Sequence, residues 1–124
     1  MGWDAFATKN GEDIKHLLNP YKVKDNELRK KFKEAVKLVR SKYEYADGLL
    51  DCGGLDCSDC AYALQDATGM ICWGKPLNPK QVKEYYKKAD WENVDDSLEK
   101  ELVASAKEFL KVCAENNMGI RFSW

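Results

Sequence analysis

Apolar residues recur at steps of three and four over most of this chain, and that period limits the fold more than any other feature. The clearest case is the stretch 27–46, where one stripe collects the side chains of Leu28, Phe32, Ala35, Val36, Val39, Tyr43 and Ala46. A helix with one apolar stripe has to bury it against other elements. The chain has 124 residues, of which 44% are hydrophobic, enough for one domain around one core. We therefore expect a single domain over residues 1–124.

Start and stop signals place further helices along the chain. Asn78 is followed by Pro79 and, three residues on, by Gln81, the pattern of a capping box with proline at the first helical position. Similar signals predict a short helix at 12–18 and a helix that starts at Asp56 or Ser58 and ends at Gly69. They also predict a helix from Pro79 through Ala89 and a last helix that starts within 95–97 and ends at Asn116. Together with residues 27–46, these segments form a predicted bundle of four to five helices.

Both ends of the chain are short, aromatic and strand-like. Residues 3–8 alternate in the manner of a strand, and Ile120, Phe122 and Trp124 alternate with Arg121 and Ser123. An isolated strand leaves its backbone hydrogen-bonding groups unpaired, so we expect the two ends to pair with each other. The predicted fold class is mainly α (α+β): a helical bundle with a small ribbon formed by the N- and C-terminal strands.

Charge is distributed in blocks, although the net charge is only -1. Nine basic and three acidic residues give +6 over 22–42, and six acidic residues give -6 over 43–73. Five basic residues and one acidic residue give +4 over 75–88, and six acidic residues and one basic residue give -5 over 90–101. We interpret the blocks as complementary surfaces of one small domain.

The distribution of charge, apolar runs and cysteines also indicates which partners and which compartment to expect. The basic stripe (Arg29, Lys33, Lys37 and Arg40) has no glycine-rich loop or aromatic platform beside it, so a nucleic-acid partner is not expected. The first residues do not resemble a secretory signal, and no apolar run reaches the ~20 residues that span a bilayer. The cysteine count is odd, at five. These features predict a soluble cytoplasmic protein without a membrane partner.

The residues most suggestive of chemistry lie around Gly53-Gly54. Four of the five cysteines fall within 21 positions of the chain: Cys52, Cys57, Cys60 and Cys72. Thiolates held on a turn and the following helix can converge on zinc or on an iron–sulfur cluster. The spacing Cys52-x4-Cys57-x2-Cys60 resembles that of the first three ligands of plant-type ferredoxins. That resemblance covers nine residues and implies an Fe–S site. The ferredoxin fold, which is β-rich, is not carried over.

A second hypothesis makes Cys57 a nucleophile at a helix start, where backbone N–H groups favour a thiolate. The string Leu55-Asp-Cys-Ser, after Tyr45 and a glycine-bearing loop, resembles the nucleophile turn of NlpC-type papain-like peptidases. The resemblance implies thiol-dependent hydrolysis. In those enzymes a histidine follows the cysteine helix, whereas His16, the one histidine of this chain, precedes it. Cys57 and Cys60 are also spaced as a dithiol redox pair.

The hypothesis that we favour places these thiols in the core, because free cysteine behaves as a small buried hydrophobe. Cys57, Cys60, Ala61 and Leu64 would share one helix face, and Cys113 would lie on the stripe of the last helix. We then expect a non-catalytic protein-binding module, with no cofactor, that contacts its partner through Trp73, Trp91 and the charge blocks. The alternative is a metalloprotein with Cys52, Cys57, Cys60 and Cys72 as ligands. The oligomeric state is left open.

Overall fold

The computed structural model describes residues 4–9, 12–13, 54–55, 58–71 and 74–123. In these ranges the strands are β1 (Asp4–Lys9), β2 (Glu12–Asp13), β3 (Gly54–Leu55) and β4 (Gly119–Ser123). The helices are α1 (Ser58–Thr68), α2 (Pro79–Lys88) and α3 (Lys100–Glu115), with a 3-10 turn at Trp91–Asn93. The described part of the chain is thus α+β with three α-helices. The helix predicted over 27–46 lies outside the described residues and stays a prediction.

Strand β1 organises the sheet. It pairs antiparallel with β4 from Asp4 opposite Ser123 to Thr8 opposite Gly119, which confirms that the two ends of the chain pair. Strands β2 and β3 also pair antiparallel with β1, at its last and middle residues respectively. Because a strand has two edges and β4 lies along one of them, β2 and β3 divide the other. The expected ribbon is therefore part of a four-stranded sheet.

The short helix predicted over 12–18 is wrong at its start. Glu12 and Asp13 form β2, with Glu12 opposite Lys9 and Asp13 opposite Thr8. Two residues, Asn10-Gly11, separate the paired strands, and Asn-Gly is the sequence most typical of a two-residue hairpin connection. At Glu12 and Asp13 the hairpin signal therefore outweighs the helical period, and residues 14–18 of the predicted helix lie outside the described residues.

Two of the predicted helix boundaries are confirmed. Asn78 Oδ1 accepts a hydrogen bond from the Gln81 N–H at 2.8 Å, and Gln81 Oε1 accepts one from the Asn78 N–H at 3.0 Å, which completes the capping box of α2. Helix α1 ends at Thr68, and Gly69 follows it in the left-handed region at φ 79°. Within the described ranges, no helix has the length and apolar character needed to cross a bilayer.

The predicted start of the last helix is wrong by several residues. Asp95 Oδ1 accepts a hydrogen bond from the Ser97 N–H at 2.9 Å, and the Leu98 N–H donates to the Asp95 carbonyl at 3.1 Å. Asp95 therefore closes a local turn. Helix α3 begins at Lys100 with Glu99 as N-cap. Aspartate side chains stabilise turns and helix starts by the same hydrogen bond, so the sequence alone does not separate the two.

The core lies between the helices and one face of the sheet. Ala5 and Ala7 of β1 and Ile120 of β4 pack there against α1, α2 and α3. The largest side chains that are fully buried are Phe109, Leu64, Met70, Leu110, Ile120, Val82, Cys60 and Cys113. Phe6 and Thr8 alternate with the two alanines and so lie on the other face of β1, where they are also buried.

The outer edge of β4 is tied to the segment before α2. The Leu77 N–H donates to the Ile120 carbonyl at 2.8 Å, and the Ile120 N–H donates to the Leu77 carbonyl at 3.1 Å. Gly119 makes this approach possible, because a Cβ there would collide with the Leu77 carbonyl oxygen and lie 2.6 Å from Thr8 Oγ1. Glycine is required at this position by close packing of two backbones.

Replacing Gly119 by alanine should therefore separate Leu77 from β4. We expect Gly119→Ala to lower the free energy of unfolding by about 1–3 kcal/mol, the usual cost of forcing an extra methyl into packed structure. The measurement is urea unfolding followed by circular dichroism. Gly74→Ala is the control, since its Cβ would meet the Ile71 carbonyl oxygen only at 3.3 Å in an exposed turn. Equal effects of the two substitutions would contradict the role assigned to Gly119.

Candidate functional site

Of the four cysteines proposed as metal ligands, the structure describes Cys60. Its side chain is 2% exposed, and its Sγ donates a weak hydrogen bond to the Leu102 carbonyl oxygen at 3.5 Å. Cys60 thus packs in the contact between α1 and α3. Cys52, Cys57 and Cys72 lie outside the described residues, and so does His16. Among the residues that are described, no three His, Cys, Asp or Glu side chains form a group that could hold a metal ion.

Cys113 occupies the core stripe of α3, where it was predicted. It is fully buried, and this burial raises the pKa of the Cys113 thiol far above its ordinary value. A thiol that stays protonated is a poor nucleophile and a poor ligand. Cys113 therefore contributes packing.

The described part of the chain offers a different candidate site, in the segment between α2 and α3. Five exposed carboxylates lie there, and we call them the acidic face: Asp90, Glu92, Asp95, Asp96 and Glu99. Their density follows from the acidic block that the sequence shows over 90–101. Since each is solvent-exposed, they present one sign of charge to an approaching partner.

Hydrogen bonds fix the backbone of this segment on α1. The Asp90 N–H donates to the carbonyl of Ala67 at 2.8 Å, and the Asp95 N–H donates to Asp66 Oδ2 at 3.4 Å. Asp90 Oδ1 accepts from the Glu92 N–H at 3.1 Å, which begins the 3-10 turn. The carboxylates therefore project from a loop that is held at both ends of the turn.

A cleft of about 210 Å³ opens in this face. It is lined by Trp91, Val94, Asp95, Asp96, Leu98, Lys100 and Val103. Val94 is buried, while Trp91, Leu98 and Val103 are half-buried and pack against the core. The cleft therefore combines apolar walls with two carboxylates and one ammonium group.

Hydrogen bonding also keeps the cleft negative. The Ser97 backbone N–H, and after it the Ser97 side chain, donate to the Asp95 carboxylate and lower the pKa of Asp95. Asp95 is consequently ionised throughout the neutral range. Its charge is available to a ligand, because a carboxylate can accept more hydrogen bonds than the turn uses.

Of the residues proposed to contact a partner, Trp91 is placed in this cleft. Trp73 and the basic stripe (Arg29, Lys33, Lys37 and Arg40) lie outside the described residues. Val94, Leu98 and Val103 were not foreseen as site residues. The sequence did contain a signal for this cleft, namely apolar residues that stand next to carboxylates in the chain. The signal was missed because the apolar pattern assigned Leu98 to the buried stripe of the last helix.

Comparison with known proteins gives no relative from which to borrow a function. No protein-family model, no curated protein and no solved structure matches the chain. The function must therefore be argued from the chemistry of the site.

Burial of two of the cysteines can be tested by alkylation. We expect Cys60 and Cys113 to react with iodoacetamide at pH 8 at least tenfold more slowly in native protein than in urea, because reagent reaches them only after opening of the core. Peptide mapping by mass spectrometry gives the rate at each site. Rapid labelling of Cys60 in native protein would contradict its placement between α1 and α3.

The metal-binding alternative makes a different prediction. A metal bound through Cys60 requires its Sγ to turn away from Leu102, so we expect native mass spectrometry to give the mass of the bare chain. Added mass from zinc or iron that is retained by the wild type and lost in Cys60→Ser would instead identify Cys60 as a ligand, as the proposed site at Cys52, Cys57, Cys60 and Cys72 requires. Cys113→Ser is the matched control, since the metal should survive it.

Proposed function

We propose that this protein is a non-catalytic protein-binding module that recognises a basic segment of its partner through the acidic face. The observation that supports this most directly is the cleft in which Trp91, Leu98 and Val103 are combined with the carboxylates of Asp95 and Asp96. Its odd number of cysteines favours the reducing cytoplasm as the place where the module acts.

The proposed occupant of the cleft is one lysine or arginine side chain of the partner. Such a side chain has an apolar stem and a charged end, so it can lie along an apolar wall while its cation meets carboxylates. Trp91 adds a ring face that attracts a cation. The volume of about 210 Å³ suits one long side chain better than a drug-sized ligand, whose pockets begin at roughly 300 Å³.

Charge on the rest of the acidic face supports the same partner. Asp90, Glu92 and Glu99 add three exposed carboxylates around the two that line the cleft. A field of one sign accelerates encounter with a basic segment and weakens as salt screens it. Lys100 is the one cation in the cleft lining, and it opposes binding of a second cation.

This function predicts charge-selective peptide binding. An acetylated peptide of alternating lysine and leucine should bind the wild-type protein, and a peptide of alternating glutamate and leucine should not. We expect Asp95→Asn with Asp96→Asn to weaken binding at least tenfold, because both carboxylates of the cleft are lost while the new amide oxygen at position 95 still accepts the Ser97 N–H. Lys100→Gln should tighten binding. Isothermal titration calorimetry at 50 and 300 mM salt gives the affinities.

Neutralising carboxylates outside the cleft distinguishes the effect of the cleft on peptide binding from the effect of the protein's net charge. Glu84→Gln with Asp59→Asn removes the same charge from exposed positions on α2 and α1, outside the cleft, and should leave binding within about twofold. If this pair of substitutions weakened binding as much as the pair at 95 and 96, the peptide would be held by net charge alone. Binding of both peptides with equal affinity would also overturn the proposal.

A further inference from the structure

Helix α1 carries an exposed aromatic side chain close to the acidic face. Tyr62 is one of the two large hydrophobic side chains that are exposed in the described ranges, at 41%. Asp66, which is also exposed, follows it by four residues and therefore lies on the same side of the helix. The Asp95 N–H donates to Asp66 Oδ2 at 3.4 Å, so this side of α1 adjoins the loop that carries the acidic face.

Gln65 supplies an independent indication of a ligand. Within the part of the chain that the structure describes, its Oε1 is buried and has no hydrogen-bond partner. Such an acceptor is unfavourable, because it has given up its hydrogen bonds to water and gained none. The residue as a whole is half-buried. Rotation about its terminal torsion, which is broad in glutamine, turns Oε1 toward the surface, where a partner can donate to it.

Tyr62, Gln65 and Asp66 together offer acceptors and a ring face to one side chain. The Asp66 carboxylate can accept further hydrogen bonds besides the one from the Asp95 N–H. The ring of Tyr62 attracts a cation, and a planar guanidinium can stack on it. A guanidinium also carries five N–H donors in a fixed plane, so it can bond to the carboxylate and to the amide oxygen at once. The three side chains therefore suit arginine better than lysine.

We propose that Tyr62, Gln65 and Asp66 form a subsite for an arginine of the partner, beside the cleft that takes another basic side chain of the same segment. This inference rests on the proposed function, since the cleft supplies the first anchor of that segment. The subsite adds specificity, because it distinguishes arginine from lysine and determines where in the partner's sequence the arginine stands.

The distance between the two sites predicts the spacing of the two basic residues. Tyr62 precedes Asp66 by one turn of α1, about 6 Å. The hydrogen bond from the Asp95 N–H to Asp66 adds 3.4 Å. An extended peptide advances about 3.3 Å per residue, so the total of roughly 10 Å corresponds to about three residues. We expect the partner to place its arginine three positions from the residue in the cleft, in one of the two chain directions.

The test is isothermal titration calorimetry at 50 mM salt with acetylated peptides that contain one lysine and one arginine among glycine and serine. A peptide with the two residues three positions apart, in one of the two orders, should bind about tenfold tighter than a peptide with the two residues adjacent. Replacing that arginine by lysine should remove most of the gain. Affinity that does not depend on the spacing, or that is equal for arginine and lysine, overturns the proposal.

Two variants assign the gain to α1. Tyr62→Ala removes the ring, and Gln65→Met removes the amide oxygen from a side chain of similar length. Each should weaken binding of the best lysine–arginine peptide about fivefold and leave a peptide with a single lysine within about twofold. Gln65→Met should keep or raise the urea midpoint, because it removes a buried acceptor that has no partner. Unchanged affinity in both variants would contradict the subsite.

Ile71→Ala is the matched control. Ile71 is the other exposed large hydrophobic residue of the described ranges, at 52%, and it lies beyond the end of α1. Its replacement should leave the affinity for each peptide within about twofold. An effect as large as that of Tyr62→Ala would mean that exposed apolar surface in general, and not the assigned subsite, holds the arginine.

The peptide with a single lysine separates this inference from the function on which it rests. If that peptide binds and depends on Asp95 and Asp96, while an added arginine brings no gain at any spacing, the subsite is wrong and the proposed function stands. If neither the single-lysine peptide nor any lysine–arginine peptide binds, both proposals fail.

Discussion

The pairing of β1 with β4 is the contact on which the sheet and the position of α2 depend. It joins residues near the two ends of the chain, which costs loop-closure entropy before any contact is gained. Burial of Ala5, Ala7 and Ile120 under the helices offsets that cost. Once the ladder has formed, its register places Thr8 opposite Gly119. The same register holds the outer edge of β4 where Leu77 can pair with it, and so positions the start of α2.

The acidic face, by contrast, is local, since its five carboxylates come from one loop between α2 and α3. It concentrates the acidic block of residues 90–101 on a chain whose net charge is only -1. Exposed charges of this kind act on an approaching group only within about a Debye length, about 8 Å at physiological salt. The effect of the acidic face is therefore confined to groups that come close to this loop.

The sequence predicted what depends on short-range patterns. Apolar periodicity and capping residues predicted α1, α2 and the body of α3, and alternation at the two ends predicted the β1–β4 pair. Prediction from the sequence failed at Asp95, because aspartate stabilises turns as well as helix starts. It also failed at Glu12 and Asp13, which follow the hairpin sequence Asn10-Gly11 and form a strand, although a helix was expected there. For the acidic cleft, the sequence predicted one lining residue, Trp91, as a contact for a partner. The apolar wall of this cleft was not predicted, because the sequence pattern placed Leu98 on the buried stripe of the last helix, whereas the structure places Leu98 beside Asp95 and Asp96.

The Sγ atom of Cys60 can serve either as a packed hydrogen-bond donor or as a metal ligand. Its Sγ cannot both donate to the Leu102 carbonyl between α1 and α3 and, as a thiolate without its proton, bind a metal ion. Ala61 and Leu64 share the buried face of α1 with Cys60, so the same face supplies both the apolar contacts and the thiol. Ligation of a metal ion by Cys60 would cost the hydrogen bond to Leu102, and in the described part of the chain Cys60 acts as a packing residue between α1 and α3.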